Sequence, residues 1–388
     1  MTTEAPLDEL VATMQAGTRP AGGAQDIVDG VPSLGGENVT RSGLLSIEAL
    51  RLIPESYFRS MRRGVLQAGD VLINKDGAQT GKVARYRGEF EQAAVNEHLF
   101  LLRARPGSCH ASYLYWLLMA QRTQAQIARF VTGSAQPGLG QAFLRGVHVP
   151  TRSVSEQRHV AAVLDASQAA LLRSAQVIDK LRLLRVGLSE SLFDGAAPSR
   201  SLSSLAVAPI GYGIVQPGRH HPGGVELITI GDARRKLAGE LFRVAPSLDR
   251  SYARSRVRTG DVVVSIKGTI GVVLVVPDGF SGNISRDVAR IRLSRDLAPE
   301  YLSRYLESPV GQRLLEKSVV GTTRAEVSIG VLNRLEVPVP SRDEQARVVA
   351  VLSQADHRIA SEEALLAKRK LLHEGLVDEL IFGAGGRV

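Results

Sequence analysis

EQRHVAAVLDASQAALLRSAQVIDKLRLLRVGLSESLFDG, residues 156–195, returns as EQARVVAVLSQADHRIASEEALLAKRKLLHEGLVDELIFG, residues 344–383, at an offset of 188 without a gap. The two copies share Val160/Val348, Ala162/Ala350, Leu164/Leu352, Lys180/Lys368, Leu183-Leu184/Leu371-Leu372, Gly187/Gly375 and Leu192/Leu380. Within each copy apolar residues recur every seven positions. They are Leu164, Leu171, Ile178 and Leu192 in the first, and Leu352, Ile359, Leu366 and Leu380 in the second. That period predicts a long helix with a coiled-coil seam. The seam is broken at one matching position, by Arg185 and His373. A polar residue at a core heptad position serves register at a cost in stability, or else marks a solvated break. The pattern leaves both open, and it leaves open whether the helices pair parallel or antiparallel.

Upstream of the helices the same offset persists: Tyr113-Leu114 falls on Tyr301-Leu302, Gly133 on Gly321, Leu144 on Leu332 and Val149-Pro150 on Val337-Pro338. A period this long is a duplicated domain-plus-helix unit, not a solenoid repeat. The expected class is α+β with an internal pseudo-twofold repeat. Mixed α/β domains over 1–152 and 196–340 are joined and separated by helices over 153–195 and 341–383. Val71-Leu72-Ile73 after Gly69-Asp70, and Val262-Val263-Val264 after Gly260-Asp261, read as buried strands closed by glycine loops. Val95 to Arg103 and Ile284 to Arg292 read as a second strand pair, each ending on a basic residue. Asp194 to Ser204 reads as the linker between the two units.

Composition agrees with a soluble, cytoplasmic chain. Its 388 residues suffice for two cores, and the single cysteine, Cys109, excludes a disulfide framework and a cysteine-rich zinc site. No apolar run reaches membrane-spanning length, and Met1-Thr2-Thr3-Glu4 does not open a secretory signal. The net charge of +9 points to a polyanion as partner.

Catalytic motifs are weak. Gly77 to Val83 resembles a phosphate-binding loop but is one residue short and lacks the Ser or Thr that would hold magnesium. Its counterpart, Lys267-Gly268-Thr269-Ile270-Gly271, loses the Gly-Lys ending, so both are read as glycine turns. His220-His221 lacks further ligands at metal spacing, and Asp261, Ser265 and Lys267 form only a faint nuclease-like set. No metal site and no catalytic residue is expected.

The ordered elements together resemble the DNA specificity subunit of type I restriction-modification enzymes. The resemblance covers nearly the whole chain. It is carried by Gly69-Asp70-Val71-Leu72 and Gly260-Asp261-Val262-Val263, and by the strand-proline junctions followed by Glu156-Gln157 and Glu344-Gln345. Gly211 to Gly218 and the helix ends Leu192-Phe193 and Ile381-Phe382 complete it. The segment Gly17 to Asp29 departs from the pattern. The resemblance implies that each domain is a target-recognition domain reading one half of a bipartite, asymmetric duplex through the major groove. The helices, about 55 Å long at 1.5 Å per residue, would set the spacer. It implies two docked methyltransferase subunits carrying S-adenosylmethionine, restriction and translocase subunits as further partners, and no chemistry or cofactor in this chain. Candidate DNA contacts are Lys75, Gln79, Thr80, Lys82, Arg85, Arg87 and Gln136 in the first domain. In the second they are Lys267, Thr269, Arg286, Thr322, Thr323 and Arg324. A coiled-coil adaptor, a stand-alone nuclease or NTPase, and a specificity subunit of a related phage-defence system are the alternatives.

Overall fold

The computed structural model describes residues 4–20, 29–48, 50–133, 137–194, 197–319 and 325–383. They fall into two compact units, one of residues 1–175 with 365–388 and the other of 176–364. Each unit therefore contains one domain and a portion of both long helices. The division runs through the helices, not at their ends.

In the first unit Val71–Asn74 is the inner strand of a four-stranded antiparallel sheet. Its neighbours are Val83–Arg85 on one side and Leu99–Ala104, followed by Val11–Ala16, on the other. Its apolar run has no polar face because both faces are covered. Val71 and Ile73 pack into a core with Tyr113, Trp116 and Leu117 of the helix Ala111–Met119. Leu72 faces a second core with Leu34, Ala84 and Leu101. A smaller sheet, Arg51–Ile53, Val31–Leu34 and Ala94–Val95, lies beyond that second core, its last two strands parallel. A ribbon of Glu4–Pro6 with His148–Pro150 closes the domain beside the helix start.

The second unit repeats this plan. Val262–Ser265 lies between Val273–Val275 and Val288–Ile291, with Gly211–Tyr212 at the edge. Val262 and Val264 face the helix Pro299–Glu307, and Val263 faces the smaller sheet. Two sequence expectations change. The strands expected over 95–103 and 284–292 are each broken, at Asn96-Glu97-His98 and Ser285-Arg286-Asp287, where the chain crosses from one sheet to the other. The linker expected over 194–204 is shorter. Ser199–Ser201 pairs antiparallel with Glu336–Pro338, and Leu202 and Leu205 enter the core.

The helices α1, Val154–Phe193, and α2, Arg342–Phe382, are continuous over 40 and 41 residues. Each starts with the same device. Ser153 and Ser341 receive the amide hydrogens of Glu156 and Glu344 on Oγ, and those glutamates accept from the serine amides and hydroxyls. The neighbouring glutamines are buried and lock helix to domain. Gln157 accepts from the His110 amide and donates to the Ser108 and Arg152 carbonyls. Gln345 does the same with Ala298, Asp296 and Pro340. In the first unit Leu164 of α1 and Val377 and Ile381 of α2 complete the core; in the second Phe193 of α1 and Leu352 of α2 do so.

Within each unit residue numbers rise along one helix as they fall along the other, so the pairing is antiparallel. In the first unit the His373 ring nitrogen Nδ1 lies 2.9 Å from Ser167 Oγ, and Arg369 donates to Ser174. In the second, Arg185 Nε donates to Asp356 at 3.0 Å and Arg182 to Glu363 at 2.6 Å. The two heptad breaks thus carry specific polar partners. Leu171, Ile359, Leu366, Leu192 and Leu380 are half-buried, and Leu164, Ile178 and Leu352 are buried.

Candidate nucleic-acid interface

Three loops meet at the end of the inner strand in each domain. In the first, the Lys75 amide donates to the His98 carbonyl of the crossover turn, and Lys75 accepts from the Leu139 amide of the loop after Gly133. Gly77 donates to Pro137, and Gly81 closes the loop onto Asn74 at 2.7 Å. In the second, Lys267 donates to Asp287, Gly268 to Ala325 and Gly271 to Ser265. Gly81 and Gly271 have φ of 89° and 79°, a conformation that disfavours a side chain. The edge strand also needs glycine. A Cβ on Gly17 would lie 1.8 Å from the Val95 carbonyl oxygen, and one on Gly213 1.7 Å from that of Ile284. Gly17, at the start of the segment that departed from the pattern, therefore stands where Gly213 does.

The candidate side chains are placed unequally. Gln79 and Thr269 are exposed. Lys82 has no carboxylate partner among the described residues, and partial burial, then the charge of Arg41, hold its pKa below the usual lysine range. Lys75 pairs with Asp76 at 3.2 Å, and Lys267 with Glu326 at 3.0 Å while lying over the Tyr212 ring. Arg286 lies 3.6 Å from Asp287. Thr80 turns its hydroxyl inward, donating to the Gly77 carbonyl, so the near-phosphate-loop is a short turn held by its own threonine. Gln136, Thr322, Thr323 and Arg324 lie outside the described residues.

Two candidates face the helix instead. Arg85, 7% exposed, donates bidentately to Asp165 of α1 at 3.0 and 3.2 Å, and Trp116 Nε1 donates to the same carboxylate at 2.8 Å. Arg87 donates to Gln168. Both sit on or just after the edge strand Val83–Arg85, which packs against Ala111–Met119. The signal that could have separated them from Lys82 is the alternation of the strand: Arg85 follows buried Val83 at the two-residue period.

The Gly-Asp motif is structural. Buried Asp70 takes two bonds of 2.7 Å from Arg103, and buried Asp261 takes 2.8 and 2.7 Å from Arg292. That pair uses up Asp261, and Ser265 donates to the Thr269 carbonyl, so the nuclease-like set does not converge. Among the described residues no group of three or more His, Cys, Asp or Glu could hold a metal ion, and no helix is long and apolar enough to cross a membrane.

The family model of the type I restriction modification DNA specificity domain matches residues 228–369. Over 149 residues, 38% of the chain, the sequence is 35% identical to the specificity subunit of the EcoBI type I restriction enzyme of Escherichia coli. That match spans about a third of the relative's length, 31%. Among solved structures, a chain from a type I restriction-modification system, studied for its complex assembly and conformational transition, superposes with a TM-score of 0.69. It is 17% identical, with 97% of each chain covered. The HsdS subunit of Thermoanaerobacter tengcongensis gives 0.56 at 18% identity, covering 98% of this chain and 96% of its own. At these identities the likeness concerns the fold.

Proposed function

We propose that this chain, which belongs to the family of type I restriction-modification DNA specificity subunits, is the non-catalytic cytoplasmic component that tells such a complex where to act. The observation that carries the proposal is the repetition itself. The same two-sheet domain, ending in the same three-loop cluster, is locked twice to the start of a long helix by the same Glu-Gln pair. Each domain then reads one half of a bipartite duplex target, and the helices, each about 60 Å long at 1.5 Å per residue, set the unspecified spacer. Basic and polar side chains on the loops, Lys82 and Gln79 in one domain and Lys267, Thr269 and Arg286 in the other, contact phosphates and base edges.

Methyltransferase subunits, carrying S-adenosylmethionine, dock on the helices. Leu371 and Leu372 are 70% and 64% exposed in the first unit, and their repeat counterparts Leu183 and Leu184 are 73% and 68% exposed in the second. Adjacent exposed leucines at one repeated position are the apolar anchors such docking needs. The deciding experiment is a genome-wide map of methylated bases in a host carrying the neighbouring methyltransferase, with and without this chain. Loss of a single gapped motif supports the proposal. An unchanged map leaves the chain as an adaptor that joins proteins without selecting sequence.

A further inference from the structure

The second domain buries an arginine that has no carboxylate of its own. Arg290, 5% exposed, lies in Val288–Ile291 opposite Val263 of the inner strand. Nη2 donates to the Pro209 carbonyl at 2.9 Å and Nη1 only distantly to that of Arg256, at 3.4 Å, while Nε is buried with no acceptor. Asp261 is already engaged bidentately by Arg292. In the first domain the same register position, opposite Leu72, is Leu101, which is fully buried. The fold itself therefore does not require a charge here. A buried charge that shares its nearest carboxylate with Arg292 weighs against the stability of a domain, and an anion beside it would offset that cost.

A cleft of about 530 Å³ lies against this guanidinium. Tyr212, Tyr252, exposed Arg254 and Arg290 line it, and no carboxylate does among the described residues. Tyr212 also carries Lys267 over its ring, at 5.9 Å to the centroid, which places the loop cluster beside one wall of the cleft. We propose that this cleft binds a phosphate group, with Arg290 at its floor, Arg254 at its rim and the two tyrosines beside it, and that the phosphate is a phosphodiester of the DNA held by the second domain. Only the source of the phosphate rests on the DNA-reading function; the phosphate chemistry rests on the cleft. The first domain has Leu101 at the matching position in place of this arginine, so the two domains grip the backbone differently.

The test compares the full-length chain with Arg290→Leu, which installs the first domain's residue. One arm titrates inorganic phosphate, at ionic strength matched with chloride, and follows the melting temperature, since a ligand of the native state raises it. The other measures duplex affinity from 50 to 200 mM salt. One phosphate contact contributes a slope of about 0.9 in log K against log salt, so over that fourfold rise the variant loses about 3.5-fold less affinity than the parent. Loss of both the phosphate effect and the slope increment is the expected result, and loss of the slope increment alone also identifies a DNA phosphodiester. Loss of the phosphate effect alone assigns the cleft to a free phosphate compound. A variant equal to its parent in both arms overturns the proposal. If Arg290→Leu does not fold, Arg254→Ala, an exposed position, carries the same comparison. A parent that binds random duplex as tightly as any defined site would sink the specificity function without touching the slope comparison.

Discussion

Asp165→Ala removes the acceptor of three donors at once: two from Arg85 and one from Trp116. The Arg85 guanidinium is almost fully buried, and its Nε already lacks an acceptor, so the variant strands a charge in the first unit. Breaking a buried pair from one side costs about 3–5 kcal/mol. Because the Asp165 side chain is 33% exposed, water can replace part of what is lost, which places the cost at about 3 kcal/mol. In a unit of this size each kcal/mol moves the midpoint by about 2–4 °C, so the transition of the first unit should fall by about 6–12 °C. Calorimetry of the full-length chain reads this directly, with the second unit as internal reference. The companion variant replaces both partners by leucine. Paired apolar replacement is often neutral, so it should recover the share of the loss that comes from the stranded guanidinium and leave only the lost Trp116 acceptor, and the second unit has an apolar residue, Val275, at the register position of Arg85. A single variant melting within about 2 °C of its parent, or a double variant falling as far as the single, would refute the reasoning.

Burial holds the His373 pKa below its ordinary 6.5 against the opposing charge of Glu374, so the unfolded chain takes up this proton more readily than the folded one. The contribution is fully present above pH 6.5 and is lost as pH falls below it; denaturant midpoints at pH 7.5 and 5.5 should converge in His373→Gln relative to the parent, and parallel shifts would exclude His373 as the source. Lys82→Ala should lower the salt slope of duplex binding by about 0.9 with little change in melting, and an unchanged slope would remove it from the interface. Leu371→Glu with Leu372→Glu should leave melting unaltered and weaken methyltransferase association at least tenfold in a pull-down titration; full retention would show that the docking face lies elsewhere.

Much of the architecture was legible because duplication supplies its own control. A valine run buried on both faces, a serine-capped Glu-Gln helix start and a glycine loop appear twice at one spacing, and each has one local physical cause. The direction of helix pairing was not legible, since a heptad stripe is the same read from either end. Asp356 and Ser167, which meet Arg185 and His373, are unremarkable in sequence. The site is less legible, because proximity to a loop does not tell which basic side chains face outward. Arg85 and Lys82 are three residues apart, yet only the alternation of the strand separates a helix clamp from a half-buried lysine with no carboxylate partner among the described residues. Arg290 was hidden for the opposite reason, because a charge inside an apolar strand reads as part of its alternation until its counterpart, Leu101, is placed in register.

The first unit draws Val377 and Ile381 into a core otherwise built from residues before 175. On the ribosome those two side chains follow the rest of that core by about 200 residues, or roughly 10–40 s at ordinary rates of synthesis. For that interval the nascent first domain lacks Val377 and Ile381 from the apolar core that includes Trp116 and Leu117, while the second is being made. The domain translated first is thus completed last, and its exposure to chaperones and proteases is set by the speed of elongation through the other.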